Sequence, residues 1–151
     1  MKTGQVIRIY PFIGIVESIL KNEKTLLRCG AGYEGYAIST DSKIIACPIM
    51  NCIKDFEAGN LDSEPSELKK FYVNGKCKAC SYFDLCGGRC LYWHKAELWP
   101  EKGNELICNT IKHLIDELKK QIPKIQDLID RKIISKKQFH YEKYFGPEII
   151  P

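Results

Sequence analysis

Four cysteines fall within fourteen residues, in the run C-K-A-C-S-Y-F-D-L-C-G-G-R-C from Cys77 to Cys90, at spacings x2, x5 and x3. Two cysteines two residues apart can turn their sulfurs onto one ion or one cluster edge, because the peptide between them makes a tight turn whose N–H groups face the thiolates. Gly87 and Gly88 let the backbone approach sulfur closely, in conformations closed to other residues. Cys29, Cys47 and Cys52 precede the run and Cys108 follows it, so the total of eight equals two four-thiolate sites.

Eight cysteines could instead form four disulfides, and the compartment decides between the two. Met1 to Ile7 is polar, and the apolar stretch around Ile13 is broken by Tyr10, Pro11, Gly14 and Glu17, which is unlike a signal peptide. No run approaches the ~18 to 20 apolar residues of a membrane span. The chain reads as cytoplasmic, where thiols stay reduced and clustered cysteines hold metal or do redox work.

At 151 residues the chain suits a modest core of its own. The net charge is only +4, which gives no support to nucleic-acid binding. From Asn109 onward there are nine Lys plus Arg against six Asp plus Glu. Such a mildly basic shell would offset the negative charge of thiolate-ligated clusters.

The periodicities predict an α+β chain: a small cysteine-rich domain with a β-hairpin, metal-binding loops and C-terminal helices. Gln5 to Tyr10 reads as a short strand, and Phe12, Ile13, Val16, Ile19 and Leu20 form one apolar helix face. Tyr36 to Thr40 pairs with Lys43 to Cys47 across Asp41-Ser42, a hairpin that delivers Cys47 near Cys29. Pro65 starts a short helix with Leu68, Phe71 and Tyr72 as its buried stripe, ended by Gly75. Leu91 to Ala96 is a helical turn. From Cys108 a helix carries Ile111, Leu114, Ile115 and Leu118 inward, and Pro123 kinks or restarts it before Ile125, Leu128 and Ile129. Ser135 with Gln138 makes a capping box, and the aromatic, apolar tail from Phe139 should dock on something.

Zinc is the plain reading of Cys77, Cys80, Cys86 and Cys90, since four sulfurs hold one tetrahedral ion. It leaves Cys29, Cys47, Cys52 and Cys108 to build a second site from distant segments. In ferredoxin-type runs the last cysteine of a compact series ligates the other cluster, and Cys90 can cross over in the same way. His94, His113 and His140 read as packing or surface residues. No phosphate loop, paired carboxylates or Ser/His/Asp arrangement stands out, so no catalytic residue is assigned.

The series C-x17-C, then C-x2-C-x5-C-x3-C, then x17-C over Cys29 to Cys108 resembles the SPASM domain, the C-terminal auxiliary-cluster module of radical S-adenosylmethionine enzymes that modify peptides and proteins. The CGAG at Cys29 and the CGGRC at Cys86 fit it, and CPIMNC with the tail YEKYFGPEIIP looks like a peptide-modifying subfamily. The resemblance implies two [4Fe-4S] clusters, the distal one on Cys77, Cys80, Cys86 and Cys108 and the proximal one on Cys29, Cys47 and Cys90. Cys52 supplies the missing proximal ligand, or that iron stays open. Ser42 stands where the family often has glycine, and Gly35 where sulfatase-maturing relatives have another cysteine.

Residues 1–28 are then similar to the end of a radical enzyme's partial barrel, a remnant strand-helix unit. Residues 29–122 form the cluster domain and 123–151 a docking tail. The parent family's C-x3-C-x2-C, which leaves one iron free for S-adenosylmethionine, is absent; after Cys86 and Cys90 the third position is Trp93. The expected partners are a radical S-adenosylmethionine barrel, in the same longer chain or a separate one, and a peptide substrate, with no nucleic acid and no membrane. By itself the chain is not expected to be catalytic. A zinc-stabilised interaction domain and a stand-alone ferredoxin-like electron carrier are the alternative functions.

Overall fold

A computed structural model describes residues 4–51, 53–96 and 100–140. It is mixed α and β. Among the described residues the sheet has three antiparallel strands in the order β1 (Ala37–Ile38), β2 (Lys43–Ile45) and β3 (Glu57–Asn60). The hairpin is where the sequence puts it, with Ala37 opposite Ile45 and Ile38 opposite Ile44. Its turn is closed by Ser42 N–H donating to the Ser39 carbonyl at 3.0 Å and Ser39 N–H to the Lys43 carbonyl at 2.9 Å. Ser42 completes the turn at φ +66°, the left-handed region.

Strand β3 adds to the hairpin a third strand that the sequence does not announce, and the helix expected from Pro65 to Gly75 is not formed. EAGN pairs with β2 despite having no β-branched residue, through Ile44 opposite Gly59 and Lys43 opposite Asn60. Pro65–Glu67 makes one 3-10 turn, and the chain then runs extended. Phe71 and Val73 are buried while Tyr72 and Asn74 are exposed, so the side chains alternate with period two instead of following a helical stripe. The Phe71 N–H donates to the Gly32 carbonyl at 2.8 Å, which ties this segment to the loop after Cys29. Leu27, Ala46, Met50, Phe56, Phe71, Val73 and Leu91 close the core beneath.

Gln5 to Tyr10 is not a strand. It pairs with none of the described strands, and a strand needs a neighbour. Helix α1 (Phe12–Lys21) follows as expected, but it is buried on more than one side. Ile13 and Val16 pack with Ile134 and Phe139, whereas Ile15 packs with Ile111 and Ile115. α1 therefore wedges between the cysteine-bearing part and the C-terminal turn.

Helices α2 (Phe83–Cys86) and α3 (Leu91–Ala96) bracket the double glycine. The last helix, α4 (Glu101–Asp130), starts before Cys108 and runs unbroken through Pro123, where the sequence suggests a kink or restart. The boundary expected at 122–123 thus falls inside one helix. Asn104, Cys108, Ile111, Ile115, Leu118, Ile122 and Ile125 recur every three or four residues along it, so the cysteine shares a face with the apolar stripe. Ser135 caps the final 3-10 turn, Lys136–Phe139, in a capping box with Gln138.

Candidate metal centre

Cys77 ends the turn Gly75–Cys77, and the Cys80 N–H donates back to the Cys77 carbonyl at 3.0 Å, so the x2 spacing makes a turn with both sulfurs on one side. Cys86 is the last residue of α2, capped by the Gly87 N–H donating to the Phe83 carbonyl at 2.7 Å. Three left-handed residues follow, with φ +71° at Gly87, +82° at Gly88 and +64° at Arg89. An added Cβ at Gly87 would lie 2.9 Å from Thr25 Cγ2, and one at Gly88 3.0 Å from Val73 Cγ1. Space as well as conformation therefore requires both glycines.

This reversal separates two groups of thiols. Cys77, Cys80, Cys86 and Cys108 line one cavity of about 30 Å³, together with Phe83, Gly88, Arg89 and Ile111. Burial pushes the Cys77 thiol up, as do the nearby Cys108, Cys86 and Cys80, while the Arg89 charge pulls it down. Burial also raises Cys86, against hydrogen bonds from the Gly88 and Arg89 N–H groups and the charge of Arg89, with Cys108 adding to the rise. Cys90 is not among the residues lining that cavity; it interacts with Cys47. Burial raises the Cys47 thiol, the Ile49 N–H opposes it, and the proximity of Cys90 and Cys29 adds to it. Cys52 lies outside the described residues.

Among the described residues, no group of three or more His, Cys, Asp or Glu side chains stands close enough to hold a metal ion. A tetrahedral zinc–thiolate site, at ~2.3 Å per bond, needs its sulfurs less than about 4 Å apart. Holding a zinc ion or a four-iron cluster therefore requires the cysteine side chains to move. The chemistry of the donor set does fit a thiolate-bound metal group. Four partly buried thiols line the cavity from three elements, and burial with the neighbouring thiols raises Cys77 and Cys86, an effect that a shared cation would reverse. A buried cation already stands at the same cavity: Arg89 is 8% exposed and its Nε has no hydrogen-bond partner.

His94 belongs to this site although the sequence reading makes it a packing residue. Its Nε2 is 2.5 Å from the Gly88 carbonyl oxygen and 3.7 Å from Cys77 Sγ. A carbonyl only accepts, so Nε2 carries the proton. Burial holds the ring below its ordinary pKa, and neutral histidine fits that role. The signal was its place one helical turn beyond Cys90, whose carbonyl accepts from the His94 N–H at 3.3 Å. His113 is exposed, and His140 pairs with Glu17 at 3.1 Å.

No helix among the described residues is long and apolar enough to cross a membrane. No protein-family model matches the chain, and no curated protein or solved structure matches it either.

Proposed function

We propose that the chain is an auxiliary iron–sulfur module of SPASM type, acting beside a radical S-adenosylmethionine barrel that modifies a peptide. Cys77, Cys80, Cys86 and Cys108 hold one [4Fe-4S] cluster, and Cys29, Cys47 and Cys90 hold the other, with Cys52 as its candidate fourth ligand. When bound, such clusters supply one-electron transfer to or from the barrel's radical-generating centre. The residues themselves contribute thiolates, backbone N–H groups at sulfur, and an apolar wall that limits water.

The observation that carries this reading is the partition of the thiols. A local zinc site would use the four cysteines of the compact run, Cys77 to Cys90. Instead Cys108 joins Cys77, Cys80 and Cys86 at one cavity, while Cys90 interacts with Cys47. That crossover is how two-cluster ferredoxins share a compact run. Ser42 adds a second support, because the position where the family often has glycine has a left-handed backbone here. A single zinc ion is the second reading, since four thiols at one cavity are a chemically sufficient donor set for it.

The test is anaerobic reconstitution with iron and sulfide, followed by metal analysis and an absorption spectrum. About eight irons and eight sulfides per chain, with a brown colour absorbing near about 400 nm, are expected for two cubane clusters. A colourless protein that retains zinc and takes up no iron would overturn the proposal in favour of a zinc-stabilised domain.

A further inference from the structure

Arg89 sits at a costly place for a side chain that does nothing. It follows two glycines in the left-handed region, where a residue with a Cβ is strained and a third glycine would not be. It is also almost fully buried, although arginine is rarely buried without a partner charge. Its Nη2 donates to Asn104 Oδ1 at 3.3 Å, and the guanidinium stacks 4.9 Å from the Trp93 ring centre. Trp93 Nε1 donates to the same Asn104 oxygen and fixes it. The Nε–H is buried and has no partner among the described residues, and Arg89 lines the cavity of Cys77, Cys80, Cys86 and Cys108. No carboxylate lines that cavity to neutralise it.

We propose that Arg89 is the charge-compensating residue of this site, its Nε–H donating to a sulfur of the anionic group held by the four cysteines and raising that group's reduction potential. The inference rests on the iron–sulfur reading. Each electron taken from an external reductant makes a thiolate-bound cluster more negative, so a fixed buried cation favours the reduced form. Lys112 also lines the cavity, but it is partly exposed and water screens it. Asn104 and Trp93 act as positioning residues, since each touches the guanidinium.

Arg89→Met and Arg89→Lys test this together, because both keep a Cβ in the left-handed conformation and differ in charge. Iron content is measured first, on the wild type; its absence there would remove the iron–sulfur reading before any Arg89 variant is judged. With iron present, mediated dithionite titrations followed by electron paramagnetic resonance should show one of two potentials shifted downward in Arg89→Met and mostly restored in Arg89→Lys. Lys112→Met should shift it less. Selective loss of one cluster's iron in Arg89→Met, with retention in Arg89→Lys, would equally support a charge role. Unchanged potentials in loaded Arg89→Met, equal losses of iron in both Arg89 variants, or a Lys112→Met shift as large as that of Arg89→Met would each overturn it.

Discussion

Seventeen residues separate Cys108 from Cys90, yet it reaches the cavity of Cys77, because α4 starts at Glu101 and turns Asn104, Cys108 and Ile111 toward the cysteine run. Removing its sulfur should therefore empty one site and spare the other. Cys108→Ala is expected to lose about four of about eight irons after reconstitution, and to melt at a lower temperature because ligation is coupled to folding. Cys90→Ala should deplete the other site; if instead Cys108→Ala keeps all its iron, the local four-cysteine arrangement holds. Ser42 provides a residue-scale test that is independent of metal. Its left-handed backbone is strained for serine and natural for glycine, so Ser42→Gly should raise stability by about 0.5–1 kcal/mol in denaturant melts, after the entropy glycine gives the unfolded chain is subtracted.

Pro123 tests the last helix as an element. The ring removes one backbone hydrogen bond and crowds the carbonyl four residues earlier, yet α4 continues for seven residues beyond it. Pro123 is exposed, so water can reach the orphaned carbonyl, while Leu118, Ile122, Ile125 and Ile129 keep packing on Ile13, Val16, Ile134 and Phe139. Pro123→Ala should stabilise the protein by roughly 1–3 kcal/mol, seen as a higher denaturation midpoint with unchanged metal content. The helices α1 and α3, the hairpin and the Ser135 cap were legible in the sequence because each has a local signal: a 3.6-residue stripe, a two-residue turn, or S-x-x-Q. Strand β3 was not, since Glu57, Ala58, Gly59 and Asn60 have low strand propensity and pair only because β2 offers an edge. Leu68, Phe71 and Tyr72 read as a helical stripe because a short apolar run carries too few residues to separate period two from 3.6. The convergence of Cys108 with Cys77 came from the family resemblance, and the part played by Arg89 and His94 needed tertiary contacts that spacing does not encode.

At the scale of the whole molecule, the proposed function separates electron transfer from catalysis. Reductive cleavage of S-adenosylmethionine needs a cluster with one iron free of protein ligands, and the 151 residues contain no C-x3-C-x2-C to hold it. The part that resembles a barrel is a segment and one helix. Residues 5–9 have no regular secondary structure and pair with no described strand, with Val6 packed on the core while Ile7 is 80% and Ile9 50% exposed. Beside them, Tyr10 and Phe12 add further exposed apolar surface. A run of exposed apolar side chains is surface that the proposed barrel partner would cover. The anaerobically reconstituted chain, incubated alone with S-adenosylmethionine and dithionite, should accordingly form no 5′-deoxyadenosine above a protein-free control. Sustained turnover by the chain alone would mean that one of its clusters has an open iron able to bind the cofactor. The division of labour between cluster module and barrel would then have to be abandoned.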